Sequence, residues 1–440
     1  MRRMLIYFKD LFKTSKNFTN VQSILNHHGF SVYLVGGMVR DRILGIDSSN
    51  DYDLATNASL DDIVNIFGED TVIAGQTFKV AYVNNIEVSP FRGEDIVEDL
   101  CNRDLTINAI AVDINGKFID PLNGIEDIID KKIRLCNDET TIQQDPLRII
   151  RACRFLSLIE GEFDKKTYEI LRENRYLVKK IPKERIQVEF KKAMKLKHPS
   201  LFFGALYSIG VLEYILPELS ECVMYPHGKF HKETIWEHCM IVGDSISSKY
   251  PLLRLAGFLH DIGKPKAHKE NNYVNFKRHD TIGSEIVRDF MEEYKFSNNE
   301  ILYVEGLVRL HMMTVKNCGK PAMRRFMRKL NDYNIHFKDW IRHKIADRKG
   351  NLRKDDLSFS DIKEMYKKFD ISEEVVFKVT DLDISGGEII DIFNLKPGPL
   401  VGKIQRHLVD FVLETGLNKR EYLINETHRF FQNYIMNTDD

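Results

Sequence analysis

Asp51 and Asp53 stand one residue apart, ten residues beyond a Gly36-Gly37-Met38-Val39-Arg40-Asp41 run. Tyr52 and Leu54 alternate with the two aspartates, which predicts a strand. Side chains at i and i+2 of a strand share a face, so both carboxylates would project together. Two such carboxylates repel unless a hard cation lies between them, and Mg²⁺ prefers a few carboxylates plus substrate phosphates. Gly36 and Gly37 let backbone N–H groups approach a polyphosphate. The combination points to nucleotidyl transfer at a two-metal site. Residues 225–350 carry a second constellation: His231, His238, His260-Asp261, His279, His311 and Asp347. Imidazole and carboxylate donors suit Mn²⁺, Ni²⁺, Fe²⁺ or Zn²⁺. His227 and His268 read as surface residues.

These groups need elements to hold them. Ser31 to Val35 predicts a buried strand that runs into the glycine turn. Further strands are expected at Thr71–Ala74, Phe78–Val83, Ile86–Phe91 and Ile107–Val112. From about residue 138 onward the periodicity is helical, punctuated by Pro182, Pro217, Pro226, Pro251, Pro321 and Pro397, and no strand is expected. The fold class is therefore α+β: a head with a mixed sheet over 1–137, followed by an all-helical remainder. Residues 1–10 read as an amphipathic helix rather than a signal peptide.

Composition narrows the function class. The 440 residues are 43% hydrophobic and 29% charged, which suits an ordinary soluble protein, and no stretch approaches membrane-span length. Net charge is −1, so any nucleic-acid surface must be a local patch. One basic cluster runs from Lys179 to Lys197 and another from Lys320 to Lys354; each either tracks a phosphate backbone or forms a solvated helix face. Six scattered cysteines without a C-x-x-C pair argue for a reduced, cytoplasmic chain with neither zinc ribbon nor disulfide framework.

The head resembles the class II tRNA nucleotidyltransferase/poly(A) polymerase family, with a polymerase β-like fold. The resemblance rests on the glycine turn and carboxylate pair, on Arg103-Asp104-Leu105-Thr106-Ile107-Asn108-Ala109, on Asp145 to Phe155, and on Pro182-Lys183-Glu184-Arg185-Ile186, in family order. Leu212 to Leu219 and Leu395-Lys396-Pro397-Gly398-Pro399 also have family counterparts. The resemblance implies that Asp51 and Asp53 hold Mg²⁺. Glu87 is either a third carboxylate or an exposed strand glutamate. Gly36, Gly37 and Arg40 would cradle the triphosphate, whereas Asp41 either joins them or pairs with an arginine. Arg103 and Asp104 belong to the block that selects ribonucleotides, although Asn102 stands where a second arginine is usual. Asp145 and Arg148, at i and i+3, would share a helix face. There the carboxylate can accept from an exocyclic amine and the guanidinium can donate to ring acceptors. In the family this pair is the protein template for CTP or ATP; here Gln144 replaces a frequent acidic neighbour. Arg151 and Arg154 continue that stripe toward phosphates. Lys183 and Arg185 would help hold RNA from the next helix.

Residues 225–350 resemble the HD phosphohydrolase superfamily. That implies a metal held by His238, His260, Asp261 and Asp347, a second ion near His279 and His311, and a phosphate-ester substrate. The resulting domain plan is a head (1–137), a base-reading and RNA-binding neck (138–224), an HD metal domain (225–350) and a tRNA-binding tail (351–440). Implied partners are tRNA and CTP, with ATP as a further substrate, and no obligate protein partner. Family members add CCA, CC or only the terminal A. Those completing CCA carry a flexible loop between the Glu-bearing strand and the Arg-Asp block. Here only Gly93 to Asn102 separates Phe91-Arg92 from Arg103, which favours CC addition over full CCA addition. The competing expectation is a metal phosphohydrolase whose head merely binds nucleotide.

Overall fold

The computed structural model describes residues 16–46, 52–74, 79–137, 139–228, 231–316, 318–370 and 378–436. Asp51 and residues 1–10 lie outside the described residues. The chain divides into two compact units between residues 215 and 216. Among the described residues no helix is long and apolar enough to cross a membrane.

In the first unit a seven-stranded mixed sheet forms from β1 (Val32–Val35), β2 (Asp53–Thr56), β3 (Thr71–Ala74), β4 (Val80–Val83), β5 (Ile86–Pro90), β6 (Ala111–Val112) and β7 (Phe118–Ile119). Their order is β3-β4-β5-β2-β1-β6-β7. The middle strands are the most apolar, and Leu34, Leu54, Ala55 and Val88 are fully buried. β2 pairs with β1 antiparallel and with β5 parallel. These registers set Val35 opposite Asp53, and Asp53 opposite Glu87. Between β1 and helix α1 (Gly37–Ile43) the chain turns through Gly36 at φ 75°, a left-handed conformation natural to glycine.

Two expectations about strands are corrected. Ile107 to Val112 is not one strand: Thr106–Asn108 is a 3₁₀ turn, and only Ala111–Val112 pairs. Asn108 there hydrogen-bonds Arg40 and Asp104 instead of following the ladder. The region after residue 138 also holds a strand, β9 (Glu162–Phe163), which pairs parallel with β8 (Lys132–Ile133). A two-residue strand carries no legible alternation.

Helix α2 (Ile96–Cys101) fills the connection from β5 to Arg103, with Asp95 capping it by accepting from the Glu98 N–H. Helix α3 (Leu147–Ile159) buries Ile149, Ile150, Cys153 and Phe155. It packs against α4 (Lys183–Ala193) and α5 (Pro199–Ser208). Phe190 meets Phe202 and Phe203 edge-on, with ring centroids 5.2 and 6.0 Å apart.

The second unit is helical. Its relevant elements are α6 (Ile235–Ser245), α7 (Pro251–Leu259), α8 (Lys264–Glu270), α9 (His279–Glu293), α10 (Asn298–Leu310), α11 (Lys320–Asp332), α12 (Phe337–Gly350) and α13 (Pro399–Thr415). Local signals start several of them: a Thr234–Glu237 capping box opens α6, and prolines stand at the first turns of α7 and α13. Gly263 lets the α7–α8 turn touch α9, since a Cβ there would lie 2.3 Å from the His279 carbonyl oxygen. A separate apolar cluster of Leu382, Ile384, Ile389, Ile404, Leu408 and Leu423 holds the C-terminal helices together.

Two candidate active sites

In the first unit a cavity of about 520 Å³ opens at the glycine turn. Gly36, Gly37, Arg40, Asp41, Asp53, Glu87, Arg103, Asp104, Asp145, Arg148, Arg151, Arg154 and Arg185 all line it. Most of the separate sequence blocks therefore meet around one space. Asp53 faces the turn so closely that a Cβ on Gly36 would lie 3.0 Å from its Oδ2. Registered partners on adjacent strands share a face, so Glu87 projects beside Asp53. Tyr82 donates its hydroxyl to Glu87 Oε2 at 2.9 Å. This carboxylate pair beside a backbone turn suits a hard divalent ion plus phosphate. The geometry of the Asp51–Asp53 pair lies outside the described residues.

Eight basic and five acidic side chains line the cavity, giving a cationic surface suited to a polyphosphate. Its arginines are fixed by buried partners. Arg40 donates to Asp41 Oδ1 through Nε (2.8 Å) and Nη2 (2.6 Å), and to Asn108 Oδ1 through Nη1 (2.5 Å). Of the two expectations for Asp41, the structure shows the arginine partner. Arg103 donates to the fully buried Asp99 at 3.0 Å. Arg154 donates to the buried Glu189 of α4 at 2.5 Å. The Phe155 ring lies beneath three guanidinium carbons: Arg154 at 4.1 Å, Arg40 at 4.6 Å and Arg151 at 5.3 Å. Asp99 and Glu189 were missed from the sequence, although Asp99, on α2, sits four residues before Arg103, and Asn108 and Phe155 stood in the motif blocks without a role of their own.

Asp104 accepts from Arg151 Nε at 2.8 Å, Asn108 Nδ2 at 3.0 Å and the Leu105 N–H at 2.9 Å. Burial pushes this carboxyl up, but the Arg151 guanidinium and the Asn108 amide outweigh it and hold it well below the usual carboxylate range. Burial lowers the Arg40 and Arg148 guanidiniums. The expected shared helix face of Asp145 and Arg148 is corrected: α3 begins at Leu147, and Asp145 precedes it. Pro146 disfavours helical geometry for the residue before it. Both side chains still reach the cavity. Arg185, from the first turn of α4, grips Asp145 with two parallel bonds of 3.0 and 2.9 Å. Lys183 opens the same helix but does not line the cavity.

In the second unit a cavity of about 870 Å³ is lined by His227, His231, His238, Asp261, Lys264, His279, His311 and Asp347, among others. His238 comes from α6, the His260-Asp261 pair follows α7, and Asp347 comes from α12. His238 Nε2 lies 3.1 Å from His260 Nε2 and 3.2 Å from Asp347 Oδ1. Asp261 stands between two histidine groups. Its Oδ2 is 3.3 Å from His260 Nε2, while its Oδ1 is 3.3 Å from His279 Nε2 and 3.5 Å from His311 Nε2. The backbone sets the ring tautomers. His260, His279 and His311 each direct Nδ1 at the carbonyl three residues earlier, at 2.9, 2.8 and 2.6 Å. With the proton held there, Nε2 presents a lone pair inward, as a metal ligand must. Burial drives His311 to about 4, keeping it neutral. Burial raises the Asp261 carboxyl, but Lys264 and His260 more than reverse this and hold it well below its usual range. The donor set fits divalent ions on both sides of Asp261.

The surface reading of His227 is corrected: it is 4% exposed, with Nε2 3.1 Å from Asp261 Oδ2. His268 is half-buried and meets the Tyr225 hydroxyl at 3.0 Å. Glu233, Lys264 and His343 were not singled out from sequence. Lys264 lies three residues past Asp261 and donates to it at 2.7 Å, a spacing that could have flagged it. His343 is fully buried 5.4 Å from the His260 ring, in a helix of unremarkable polarity. The basic cluster on α11 is engaged within its unit. Arg324 donates to the Leu413 and Glu414 carbonyls at 2.6 Å each, and Arg328 pairs with Asp410.

Comparison with known proteins matches the poly A polymerase head domain to residues 32–134, the RNA and SrmB-binding site of polymerase A to 162–222, the HD domain to 235–320 and tRNA nucleotidyltransferase domain 2 to 279–427. A CC-adding tRNA nucleotidyltransferase of Halalkalibacterium halodurans is 31% identical over 276 residues, covering 59% of this chain and 72% of that protein. A CCA-adding enzyme of Ligilactobacillus salivarius is 26% identical over 438 residues, covering 92% and 94%. The crystal structure of the Bacillus stearothermophilus CCA-adding enzyme in complex with CTP has a similar fold, with TM-score 0.69 and 21% identity, covering 95% of this chain and 98% of that one. With its motif blocks gathered around one cavity, and with relatives of this similarity and coverage, the chain belongs to the tRNA nucleotidyltransferase/poly(A) polymerase family.

Proposed function

We propose that this chain is a template-independent RNA nucleotidyltransferase that adds cytidines (CC) to the 3′ end of tRNA from CTP. The observation that carries this reading is the meeting of Gly36, Asp53, Glu87, Asp104, Asp145 and the arginines around one cavity. Asp53, with Asp51 and Glu87, would hold Mg²⁺, which would supply Lewis-acid stabilisation at the α-phosphate and a more acidic RNA 3′-hydroxyl. The protein's own groups do the rest. The Gly36–Gly37 backbone and Arg40 receive the triphosphate, with Arg103, Arg151 and Arg154 balancing its charge. Asp104, whose oxygens take Leu105, Asn108 and two Arg151 nitrogens, accepts from a ribose hydroxyl by exchanging one of these bonds for it. Asp145, oriented by Arg185, accepts from the exocyclic amine of the base, and Arg148 donates to its ring acceptors.

Cytosine and adenine both present an exocyclic amine, so Asp145 alone does not separate them. The preference for CC addition rests on the short β5-to-Arg103 connection, half of which α2 occupies. That leaves little chain to rearrange between two nucleotides. In this reading residues 1–137 form the head, 138–224 read the base and bind RNA, 225–350 form a metal domain, and 351–440 form the tRNA-binding tail of a cytoplasmic enzyme. A second activity is favoured by the histidine–aspartate cluster around Asp261: hydrolysis of phosphate esters at RNA ends with Mn²⁺, Ni²⁺ or Zn²⁺.

Incubating tRNA lacking its 3′ end with labelled CTP and ATP, separately and together, tests the proposal. The expected product gains two cytidines from CTP and still ends in C when both nucleotides are present. A product ending in A overturns CC specificity in favour of full CCA addition. Incorporation of neither nucleotide overturns the transferase reading.

A further inference from the structure

Asp99 is fully buried, and no step of the transfer uses its charge. It does not line the first cavity, but the two arginines it meets, Arg92 and Arg103, both do. Its oxygens face different partners. Oδ2 accepts from Arg103 Nε at 3.0 Å and lies 2.9 Å from Arg103 Nη2. Oδ1 accepts from the Arg92 backbone N–H at 3.1 Å. The Asn102 amide then donates to the Arg92 carbonyl at 3.0 Å. The two ends of the segment between β5 and Arg103 are thereby tied together, with Asp99 between them.

A guanidinium is a planar fork of five N–H donors. Once Nε and Nη2 are held along one edge, the plane is set, and so is the direction of Nη1. That nitrogen lies on the Gly36 side: a Cβ on Gly36 would stand 3.5 Å from Arg103 Nη1 and 3.0 Å from Asp53 Oδ2. The glycine turn, the Asp53 carboxylate and one arginine nitrogen therefore converge. An arginine held in advance loses little further rotamer freedom when a phosphate arrives.

We propose, on the reading of this cavity as a triphosphate site, that Asp99 is a positioning residue for nucleotidyl transfer. It grips Arg103 along one edge and so presents Nη1 to the phosphates of a nucleoside triphosphate at the Gly36 turn. Asp99 itself touches no substrate atom. The Arg92 N–H on its other oxygen links the aim of Arg103 to the course of the β5-to-α2 connection. A change in that connection reaches the phosphates through Asp99.

The test separates phosphate contacts from base and RNA contacts. With the full chain, Mg²⁺ and tRNA lacking its 3′ end, steady-state rates are measured against CTP and tRNA, and against inorganic pyrophosphate and cytidine as inhibitors. Asp99→Asn keeps the side-chain shape and removes the charge. It should raise KM for CTP and Ki for pyrophosphate by about 10-fold, the effect of misplacing one charge-assisted hydrogen bond. KM for tRNA and Ki for cytidine should not change. In an Arg103→Gln background Asp99→Asn should add nothing further, because each substitution removes the same interaction. Should Asp99→Asn fail to fold by circular dichroism, Arg103→Lys reads the same point. Lysine keeps the charge but lacks the edge that Asp99 grips, so Ki for pyrophosphate should again rise about 10-fold. An unchanged pyrophosphate Ki, a cytidine Ki that rises with it, or effects that multiply in the double variant overturn the proposal and leave Asp99 as a structural partner of α2. A wild-type chain that incorporates no CTP overturns the triphosphate reading and this proposal with it.

Discussion

Arg185 shows how a single residue can change role once its neighbours are known. From sequence it joins a basic stretch that could hold RNA; in the fold both its outer nitrogens lie on Asp145. If it orients the base-reading carboxylate, Arg185→Ala should raise KM for CTP by roughly 10-fold, the effect of losing about 1.5 kcal/mol of charge-assisted hydrogen bonding. Steady-state kinetics decide the matter: a higher KM for tRNA with an unchanged KM for CTP would return Arg185 to RNA binding. Asp104 makes a pH prediction. Its folded-state pKa is depressed by Arg151 and Asn108, after burial has pushed it the other way. Its contribution to stability is therefore complete above the ordinary carboxylate value near 4 and fades as pH falls below it. Thermal melts between about pH 5 and pH 2 should fall more steeply for the wild type than for Asp104→Asn. At neutral pH the variant should be less stable by about 2 kcal/mol, because Arg151 loses its partner.

Among the elements, α11 and α13 account for basic residues that the sequence left open. The last carbonyls of a helix have no intrahelical donors, and Arg324 supplies two of them at the end of α13. Gly416, at φ 78°, ends that helix in the left-handed region, with Arg324 packed against it. Arg324→Ala should thus destabilise the second unit by about 1–3 kcal/mol, read from a denaturant melt, and leave tRNA affinity within about twofold. A large loss of tRNA affinity without a stability change would instead put this arginine on the RNA. The glycine turn makes the corresponding point in the head. Gly36 serves the site twice, by its positive φ and by leaving room for Asp53.

At the scale of the whole molecule, the two cavities lie in different compact units and draw on different ligand chemistry. Oxygen donors and arginines line one; the other sets imidazoles beside its carboxylates and lysines. Asp53→Ala should lower CTP incorporation by on the order of 10³-fold, consistent with the several kcal/mol that a Lewis-acid ion supplies. It should leave Mn²⁺-dependent hydrolysis of a phosphomonoester such as p-nitrophenyl phosphate unchanged. Asp261→Ala should do the reverse. Loss of both activities in either variant, with folding intact by circular dichroism, would contradict two independent centres.

Much of this was legible in the chain itself because the chemistry is local. A glycine turn, an aspartate on the neighbouring strand and a His-Asp pair at a helix end are short-range patterns, and the strand and helix periods placed most of them. The family resemblance then joined blocks that are distant in sequence. The rest depended on burial and pairing, which periodicity does not encode. Nothing adjacent to His227 marks it as buried against Asp261, and nothing near Asp99 shows that the Arg92 N–H closes on it. Asp145 lost its place on the helix to the proline that follows it, and Arg324 left the expected basic surface for the end of another helix. Which polar groups exist was decided by the sequence; which of them are removed from water together, and so must find partners, was decided only when the chain folded.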